Sequence, residues 1–290
     1  MDVTAMNPPR PKLTAGYRPL RLISDQDIKA MHQLFSGFYE NADAQTFLRD
    51  LSKKDGAILV RDKQTKEIRG FTTVKKVPLW DGKRDAIGVF SGDTILDPTC
   101  WGDRTLKDGF TRYLLSLWLT SFGTPLYWLL ISKGYKTYML LAKNFVNYYP
   151  RHDAPADPKL ARLVQAYSEK LFPGKYDKQR GILDFGEGAQ RLRNEVAPIT
   201  AQMRLADPAI NYFAYRNPGW TRGHELPCVA EISISLLKPY LVKEQRKSIS
   251  SVATMPMARA DAGVTVDSVD SMLARALHAP PGTEQRSGVE

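Results

Sequence analysis

The stretch AIGVFSGDTIL, residues 86–96, decides the fold, because it reads as a buried strand that opens a strand–helix–strand unit. Its valine, isoleucine, phenylalanine and threonine side chains favour a pleated, half-buried surface. The strand ends before Pro98, since proline moves the preceding residue away from the helical region and cannot donate to a strand ladder. A short loop then leads to Asp103, a favourable N-cap, and to an apolar helix over residues 104–122.

The residues that follow complete this unit. LYWLLI, residues 126–131, predicts a second buried strand, and a second helix is predicted over residues 135–144. Two strands joined by one helix, with connections this short, form a βαβ crossover. We therefore predict that the two strands are parallel and belong to one sheet.

The chain before this unit indicates a strand, two helices and a hairpin. The first strand is predicted over residues 17–23. Ser24, with Asp27 three residues later, predicts a helix that begins with a side-chain cap. A second short helix follows, and then a hairpin with strands over residues 57–60 and 68–77.

This order of elements, over residues 17–150, resembles the acyl-donor half of the GNAT N-acyltransferase superfamily. The resemblance implies an α/β (α+β) fold, with a mixed central sheet flanked by helices and a helical insertion before the last strand. It also implies that backbone groups of Thr94, Ile95 and Leu96 meet the pantetheine arm of an acyl donor.

The loop that binds the donor's pyrophosphate in this superfamily departs from the usual pattern here. That pattern is Gln/Arg-x-x-Gly-x-Gly/Ala at a helix N-terminus, where backbone N–H groups point at the anion. The aligned stretch is WGDRTL, residues 101–106, in which Arg104 and Leu106 replace the small residues that let the backbone approach. The resemblance makes Gly102, Arg104 and Thr105 the candidate donor-binding residues, and Arg104 can meet a phosphate as a forked cation.

Past the second helix of the unit the resemblance weakens, and further elements are predicted from pattern alone. Pro158 suits the first position of a helix, because its missing N–H has no partner there. We also expect a penultimate strand over residues 181–185, a helix over residues 187–205, a short helix from Pro208, and a last strand over residues 228–234.

The predicted domain organisation has three parts. Residues 1–15 are expected to be a flexible arm, and residues 16–246 an acyltransferase domain that includes the helical insertion over about 155–225. Residues 247–290 turn small and polar, which predicts a mostly disordered tail with a short helix over residues 267–279.

The composition indicates the class of protein, its cellular location and the charge of its partner. A chain of 290 residues with 43% apolar and 25% charged residues is typical of a globular protein, and its formal charge of +10 favours an anionic partner. Two cysteines, Cys100 and Cys228, argue against a disulfide framework and indicate a cytoplasmic location. No signal sequence is visible at the N-terminus.

The composition of one segment is compatible with contact with a membrane. Residues 113–132 are twenty uncharged residues, which is long enough to cross a bilayer, but a Gly-Thr-Pro sequence interrupts them. Two short buried elements explain this composition, and we prefer an apolar groove for an acyl chain, or peripheral membrane contact, over a membrane span.

Acyl transfer needs a base for the amine, and the resemblance assigns this role to the central strand. Asp93 is the candidate, since a carboxylate among apolar strand residues has a raised pKa. The alternative is a hydrogen-bonded aspartate at a strand end.

Tyr149, or its neighbour Tyr148, is the candidate acid for the leaving thiolate, and His152 is a second candidate base. Packing explains the tyrosines equally well, and a loop histidine is often merely solvated.

A polar and aromatic group before the last strand is the candidate acceptor site. It consists of Trp220, Arg222, His224 and Glu225, which either bind the substrate or satisfy one another. The histidines and cysteines show no metal-ligand spacing, so no metal site is predicted. No hydrolase elbow, phosphate-binding P-loop, dinucleotide fingerprint or nucleic-acid module is present in the sequence.

These observations predict an N-acyltransferase that moves an acyl group, of medium or long chain, from a thioester to an amine. The donor is acyl-CoA or an acidic acyl-carrier protein, used as a co-substrate, and no permanently bound cofactor and no nucleic-acid partner are expected. The identity of the acceptor amine stays open. The alternative is a catalytically silent GNAT-like protein that binds lipid or an anionic membrane surface.

Overall fold

A seven-stranded mixed sheet organises the chain in the computed structural model, which describes residues 11–121, 123–187, 189–193 and 198–233. Its strand order is β1-β3-β4-β5-β6-β11-β7. In chain order the strands and helices are β1 (Leu13–Pro19), α1 (Asp25–Phe38), β2 (Tyr39–Glu40), α2 (Ala44–Leu51), β3 (Gly56–Asp62), β4 (Ile68–Trp80), β5 (Asp85–Leu96), α3 (Thr105–Thr120), β6 (Leu126–Ser132), α4 (Tyr135–Asn144), β7 (Tyr148–Tyr149), α5 (Pro158–Leu171), β8 (Tyr176–Asp177), β9 (Ile182–Leu183), β10 (Arg191–Leu192), α6 (Ala201–Ala206), α7 (Pro208–Arg216) and β11 (Leu226–Ile232).

The βαβ unit predicted from the sequence is confirmed. β5 and β6 are parallel neighbours, joined by α3, whereas the other strand pairs of this sheet are antiparallel within the described residues. The predicted mixed sheet flanked by helices is therefore present. The side-chain cap of α1 is also confirmed, because the Ser24 hydroxyl accepts the Asp27 N–H at 3.2 Å.

A β-bulge interrupts the pairing of β4 with β5. Thr72 lies opposite Thr94 and Val74 lies opposite Ser91, so β5 has one residue more than β4 between these two pairs. Gly92 and Asp93 of β5 consequently face the stretch of β4 that contains only Thr73. Bulges of this kind bend a strand and redirect a side chain, and they are frequent beside active sites.

Helices cover both faces of the sheet and bury two layers of side chains. On one face, α3, α4 and α7 pack against strand residues such as Val89, Trp128 and Ala230. On the other face, α5 packs against Phe90 and its neighbours, while α1 and α2 cover the part of the sheet nearer β1. The strands nearest the centre thus carry apolar side chains on both faces, which explains their near-continuous apolar sequence.

Several predicted boundaries and elements differ from the structure. The first strand begins at Leu13, so residues 13–15 of the predicted arm pair with β3 and the strand ends before residues 20–23. The strand predicted over residues 181–185 is the two-residue β9, which pairs with β8 in a separate small sheet. The strand beside β11 at the sheet edge is instead β7, for which no strand was predicted.

The helix predicted over residues 187–205 is also wrong. Residues Arg191–Leu192 form β10, which pairs with β2, and the only helical part of this range in the described residues is within α6, Ala201–Ala206. Pro198 disfavours helix in the residue before it, and pairing with a distant strand then decides the local structure. The beginning of the predicted arm (residues 1–10), the tail from residue 247 and its short helix lie outside the described residues.

The uncharged segment of residues 113–132 is divided between α3 and β6. Among the described residues, no helix combines the length and the apolar content that crossing a membrane requires.

Candidate active site

The two parallel strands part at the centre of the sheet. β5 and β6 are paired from Ile87 opposite Leu126 to Ser91 opposite Leu130, and pairing stops there. Residues 92–96 of β5 remain paired with β4 but have left β6. The N-terminus of α3 follows this free edge after a loop of eight residues. The parting therefore leaves an opening between the two strands, where the edge of residues 92–96 that faces away from β4 has no strand partner among the described residues.

A cluster of charged groups surrounds this opening. Asp93 lies in the bulge of β5, and Glu225 immediately precedes β11. The Lys133 Nζ atom is 3.2 Å from a Glu225 carboxylate oxygen and 4.9 Å from the centre of the Tyr39 ring. Lys54 Nζ is 4.8 Å from the centre of the Phe90 ring. Three other segments of the chain thus bring one carboxylate and two ammonium groups to Asp93 of β5.

The environment shifts the pKa values of these groups. Burial raises the pKa of Asp93, and the ammonium groups of Lys54 and Lys133 only partly oppose this effect. Burial likewise raises the pKa of Glu225, against the Lys133 ion pair and together with repulsion from Asp93. The pKa of Tyr39 is raised by burial and then by both carboxylates, so its phenol stays protonated at neutral pH. A carboxylate with a raised pKa beside a neutral phenol provides a base and an acid for proton transfer.

Polar atoms also converge on Gly92. A Cβ atom added there would lie 2.4 Å from Thr73 Oγ1 and 3.0 Å from Lys54 Nζ. Thr73 is fully buried, and its hydroxyl has no hydrogen-bond partner among the described residues. Burial lowers the pKa of Lys54, although the charge of Asp93 opposes that shift.

The predicted donor-binding residues lie along the free edge of β5 and at the start of α3. Thr94 is exposed at its side chain and bonds Thr72 through its hydroxyl at 2.8 Å. Ile95 is buried against α1 and α2. The Leu96 carbonyl accepts the indole N–H of Trp101 at 2.9 Å, so this backbone acceptor is already engaged.

The N-terminus of α3 already holds a carboxylate of the chain itself. Asp103 Oδ1 accepts the backbone N–H of Thr105 at 2.6 Å. Gly102 has a positive φ of 86°, as the turn requires, and Arg104 is exposed. A pyrophosphate at this helix end would meet the negative charge of Asp103, so these residues fit the usual binding mode poorly.

Among the described residues, neither Tyr149 nor His152 contacts the charged cluster. Tyr149 belongs to β7 and packs against the apolar cluster beneath α5. The Tyr148 hydroxyl lies 3.3 Å from His152 Nδ1 and 3.2 Å from Asp153. In the described residues no contact joins His152 to Asp93, and the roles of both Tyr149 and His152 stay predictions.

The predicted acceptor residues are divided among three environments. Trp220 packs against the core formed by α3, α4 and α7, and Glu225 joins the charged cluster. Arg222 and His224 line a cavity of about 410 Å³. His224 Nε2 is 3.4 Å from an Asp184 carboxylate oxygen, and Asp184 lines the same cavity.

Three residues of the cluster were missed by sequence reasoning, namely Tyr39, Lys54 and Lys133. Each is an ordinary residue near an element boundary, and none belongs to a motif. Their only sequence signal is a charge or hydroxyl at the end of a predicted element, which many residues share.

The parallel β5–β6 pair and the mixed central sheet flanked by helices match the arrangement that the resemblance implies. The fold is GNAT-like. No protein-family model and no curated protein matches this sequence.

Three solved structures illustrate what this chain is similar to. One is the GNAT family N-acetyltransferase YhbS from Escherichia coli in complex with CoA, with 15% identity, coverage of 44% of this chain and 66% of that chain, and a TM-score of 0.32. Another is the NatC complex bound to Gag peptide and CoA, with 11% identity, coverage of 48% and 86%, and a TM-score of 0.37. A third is AtaT complexed with acetyl-methionyl-tRNAfMet, with 10% identity, coverage of 46% and 85%, and a TM-score of 0.32. The fold follows from the strand order and register of the sheet.

Proposed function

We propose that this protein is an N-acyltransferase that moves an acyl group from a thioester to an amine. The observation that carries the proposal is the position of Asp93. It lies in a β-bulge where two parallel strands part, and its pKa is raised by burial. A base at this point can take a proton from an amine whose nitrogen approaches a thioester in the opening.

The donor in this proposal lies along the free edge of β5. The backbone of residues 94–96 is the candidate partner of the pantetheine arm. The poor fit of a pyrophosphate beside Asp103 favours a donor whose anionic groups meet side-chain cations, for which Arg104 is exposed. The formal charge of +10 suits either CoA or an acidic carrier protein, and the uncharged residues 113–132 favour a medium or long acyl chain.

The acid for the leaving thiolate has two candidates. Tyr39 is electrostatically coupled to Asp93 and Glu225, while Tyr149 lies in β7. We favour Tyr39, since its protonated hydroxyl is beside the groups that surround the opening. Comparing Tyr39→Phe with Tyr149→Phe separates the two: the tyrosine that protonates the thiolate should lower kcat when it is replaced.

The acceptor in this proposal enters from the side of the cavity. Arg222 makes no ion pair within the described residues and lines the cavity with His224. His224 precedes Glu225, so the cavity wall and the charged cluster are consecutive in the chain. Because Asp184 and Glu187 line the same cavity, the space offers carboxylates to the ammonium group of an acceptor and the Arg222 cation to an anionic group on it.

The first test is donor binding by native mass spectrometry, with a panel of acyl-CoAs and acyl-carrier proteins. The second is thiol release with a panel of amines, for which Asp93→Asn should lower turnover by about 10²- to 10⁴-fold without changing the fold. Retention of phospholipid, with every thioester ignored, would contradict the proposal and favour the catalytically silent alternative.

A further inference from the structure

The side-chain amine of Lys54 lies at the place where the acyl group would be transferred. It follows α2, and its Nζ atom would lie 3.0 Å from a Cβ atom on Gly92. Gly92 is the first residue of β5 beyond its last pairing with β6. The amine is also held against the face of Phe90, at 4.8 Å from the ring centre. It is therefore positioned at the opening by packing.

A second polar atom at the same place lacks a partner. The Thr73 hydroxyl is fully buried, has no hydrogen-bond partner among the described residues, and would lie 2.4 Å from the same Cβ position. A buried hydroxyl without a partner is costly, so a ligand oxygen that accepts its hydrogen would stabilise this region. The carbonyl oxygen of a thioester is such an acceptor.

Neighbouring lysines differ from Lys54 in how they are held. Lys133 is paired with Glu225 at 3.2 Å, and Lys53 is paired with Asp50 at 3.1 Å on the surface. Lys54 makes no ion pair within the described residues, and it is partly buried. Burial also favours the neutral, nucleophilic form of its amine.

We propose that Lys54 is an acceptor of the protein's own acyl group, and that the chain acylates this lysine from a bound acyl thioester. This inference rests on the proposed N-acyltransferase function. One ammonium proton of Lys54 passes through a bridging water to the Asp93 carboxylate, which is near it but forms no ion pair with it among the described residues, and the freed nitrogen attacks the thioester carbonyl carbon. A C–N bond forms, the C–S bond breaks, and its electron pair leaves with sulfur. The proton then lost from nitrogen protonates the thiolate, which gives an amide and a free thiol.

The test uses the full chain with acetyl-CoA and with one long-chain acyl-CoA. Digestion with a protease that cuts before aspartate releases DLSKK, residues 50–54, which contains both Lys53 and Lys54. Fragmentation of this peptide assigns the added acyl group to one lysine or the other. Lys53 is thus an internal measure of non-enzymatic acylation in the same peptide.

We expect Lys54 to be acylated at least about tenfold faster than Lys53, and Asp93→Asn to remove most of this difference. Lys54→Arg should abolish the modification of this peptide above the Lys53 level, and unfolded protein should acylate both lysines equally. Equal rates in the folded protein, or an unchanged Lys54 rate in Asp93→Asn, would overturn the inference.

The failure of this inference can be told apart from the failure of the proposed function. A protein that retains a thioester and acylates free amines, but leaves Lys54 unmodified, contradicts only the role of Lys54. A protein that retains no thioester in native mass spectrometry contradicts both.

Discussion

Replacing Gly92 by alanine tests the geometry on which the candidate site depends. The added methyl group would lie 2.4 Å from Thr73 Oγ1, whereas ordinary contact begins at 3.4 Å. Thr73 would have to move by about 1 Å, and it is fully buried on β4. Gly92 does not have a positive φ, so packing alone opposes the substitution. Lys54 can move aside, because only the end of its flexible side chain is involved.

The expected loss follows from overpacking a buried site. Such insertions typically cost about 1–3 kcal/mol, so we expect Gly92→Ala to lower the free energy of unfolding by about 2 kcal/mol. Gly16→Ala is the matched control, since it also replaces a strand glycine but has nothing within 4 Å of the added Cβ atom. The control should be neutral or stabilise the protein by about 0.4–1 kcal/mol.

Urea unfolding of single and double variants measures the effect. Thr73→Ala removes a hydroxyl that has no hydrogen-bond partner among the described residues, so it opens space for the methyl group of Gly92→Ala without breaking a bond. The cost of Gly92→Ala should therefore fall by at least about 1 kcal/mol in the Thr73→Ala background. Strict additivity of the two changes, or a Gly92→Ala as mild as the Gly16→Ala control, would refute the close approach at the bulge.

Three further substitutions, one of them with a control, test separate charges. Glu225→Gln leaves the Lys133 ammonium, 14% exposed, without its carboxylate partner and should cost about 3 kcal/mol in urea unfolding, whereas Glu169→Gln breaks a largely exposed pair and should cost about 0–1 kcal/mol; similar costs would contradict the burial argument. The Arg151 hydrogen bond lowers the pKa of Asp153 to about 2, so this carboxylate stabilises the fold above the unfolded pKa of about 3.9 and loses its effect as pH falls toward 2. Between pH 5 and pH 2, the Tm measured by thermal unfolding should therefore fall less for Asp153→Asn than for the unmodified chain. Asp103→Asn keeps an oxygen for the helix N-terminus but removes its charge, and titration with CoA should show binding tightened by up to about tenfold; unchanged affinity would indicate that the pyrophosphate lies elsewhere.

The sequence predicts the central unit of the fold well, because local pattern and tertiary packing agree there. The second helix of the unit was predicted over residues 135–144, and α4 has these bounds. The strand over residues 126–131 differs from β6 by one residue. An apolar run bounded by proline and glycine leaves few alternatives for a segment of this length.

The region from residue 181 to residue 205 was predicted poorly, for the opposite reason. β9 and β10 have two residues each; β9 pairs with the equally short β8 just before it, and β10 pairs with the distant β2. Elements this short have no periodicity of their own. Pairing between Arg191 and Glu40, whose side chains are 2.8 Å apart, joins segments that are far apart in sequence, and no local pattern carries this information.

The candidate site was predictable only where the strand itself departs from strand preferences. Gly92 and Asp93 are both disfavoured inside a strand, and they interrupt a run of valine, phenylalanine and isoleucine. Lys54 and Lys133, in contrast, come from loops that the fold brings to β5. Their positions depend on the whole sheet and cannot be predicted from spacing.

One extra residue in β5 accounts for both the unusual sequence and the chemistry. Because β5 gains a residue against β4 between the Thr72 and Val74 pairs, two consecutive residues share the space opposite Thr73. One of them must be glycine, since a side chain there would overlap the threonine hydroxyl. The other is Asp93, at the point where β6 has departed and buried cations approach. Gly92 and Asp93, which strands disfavour, are thus tolerated where β5 and β6 part. This is also the place where the proposed reaction needs a carboxylate as its base.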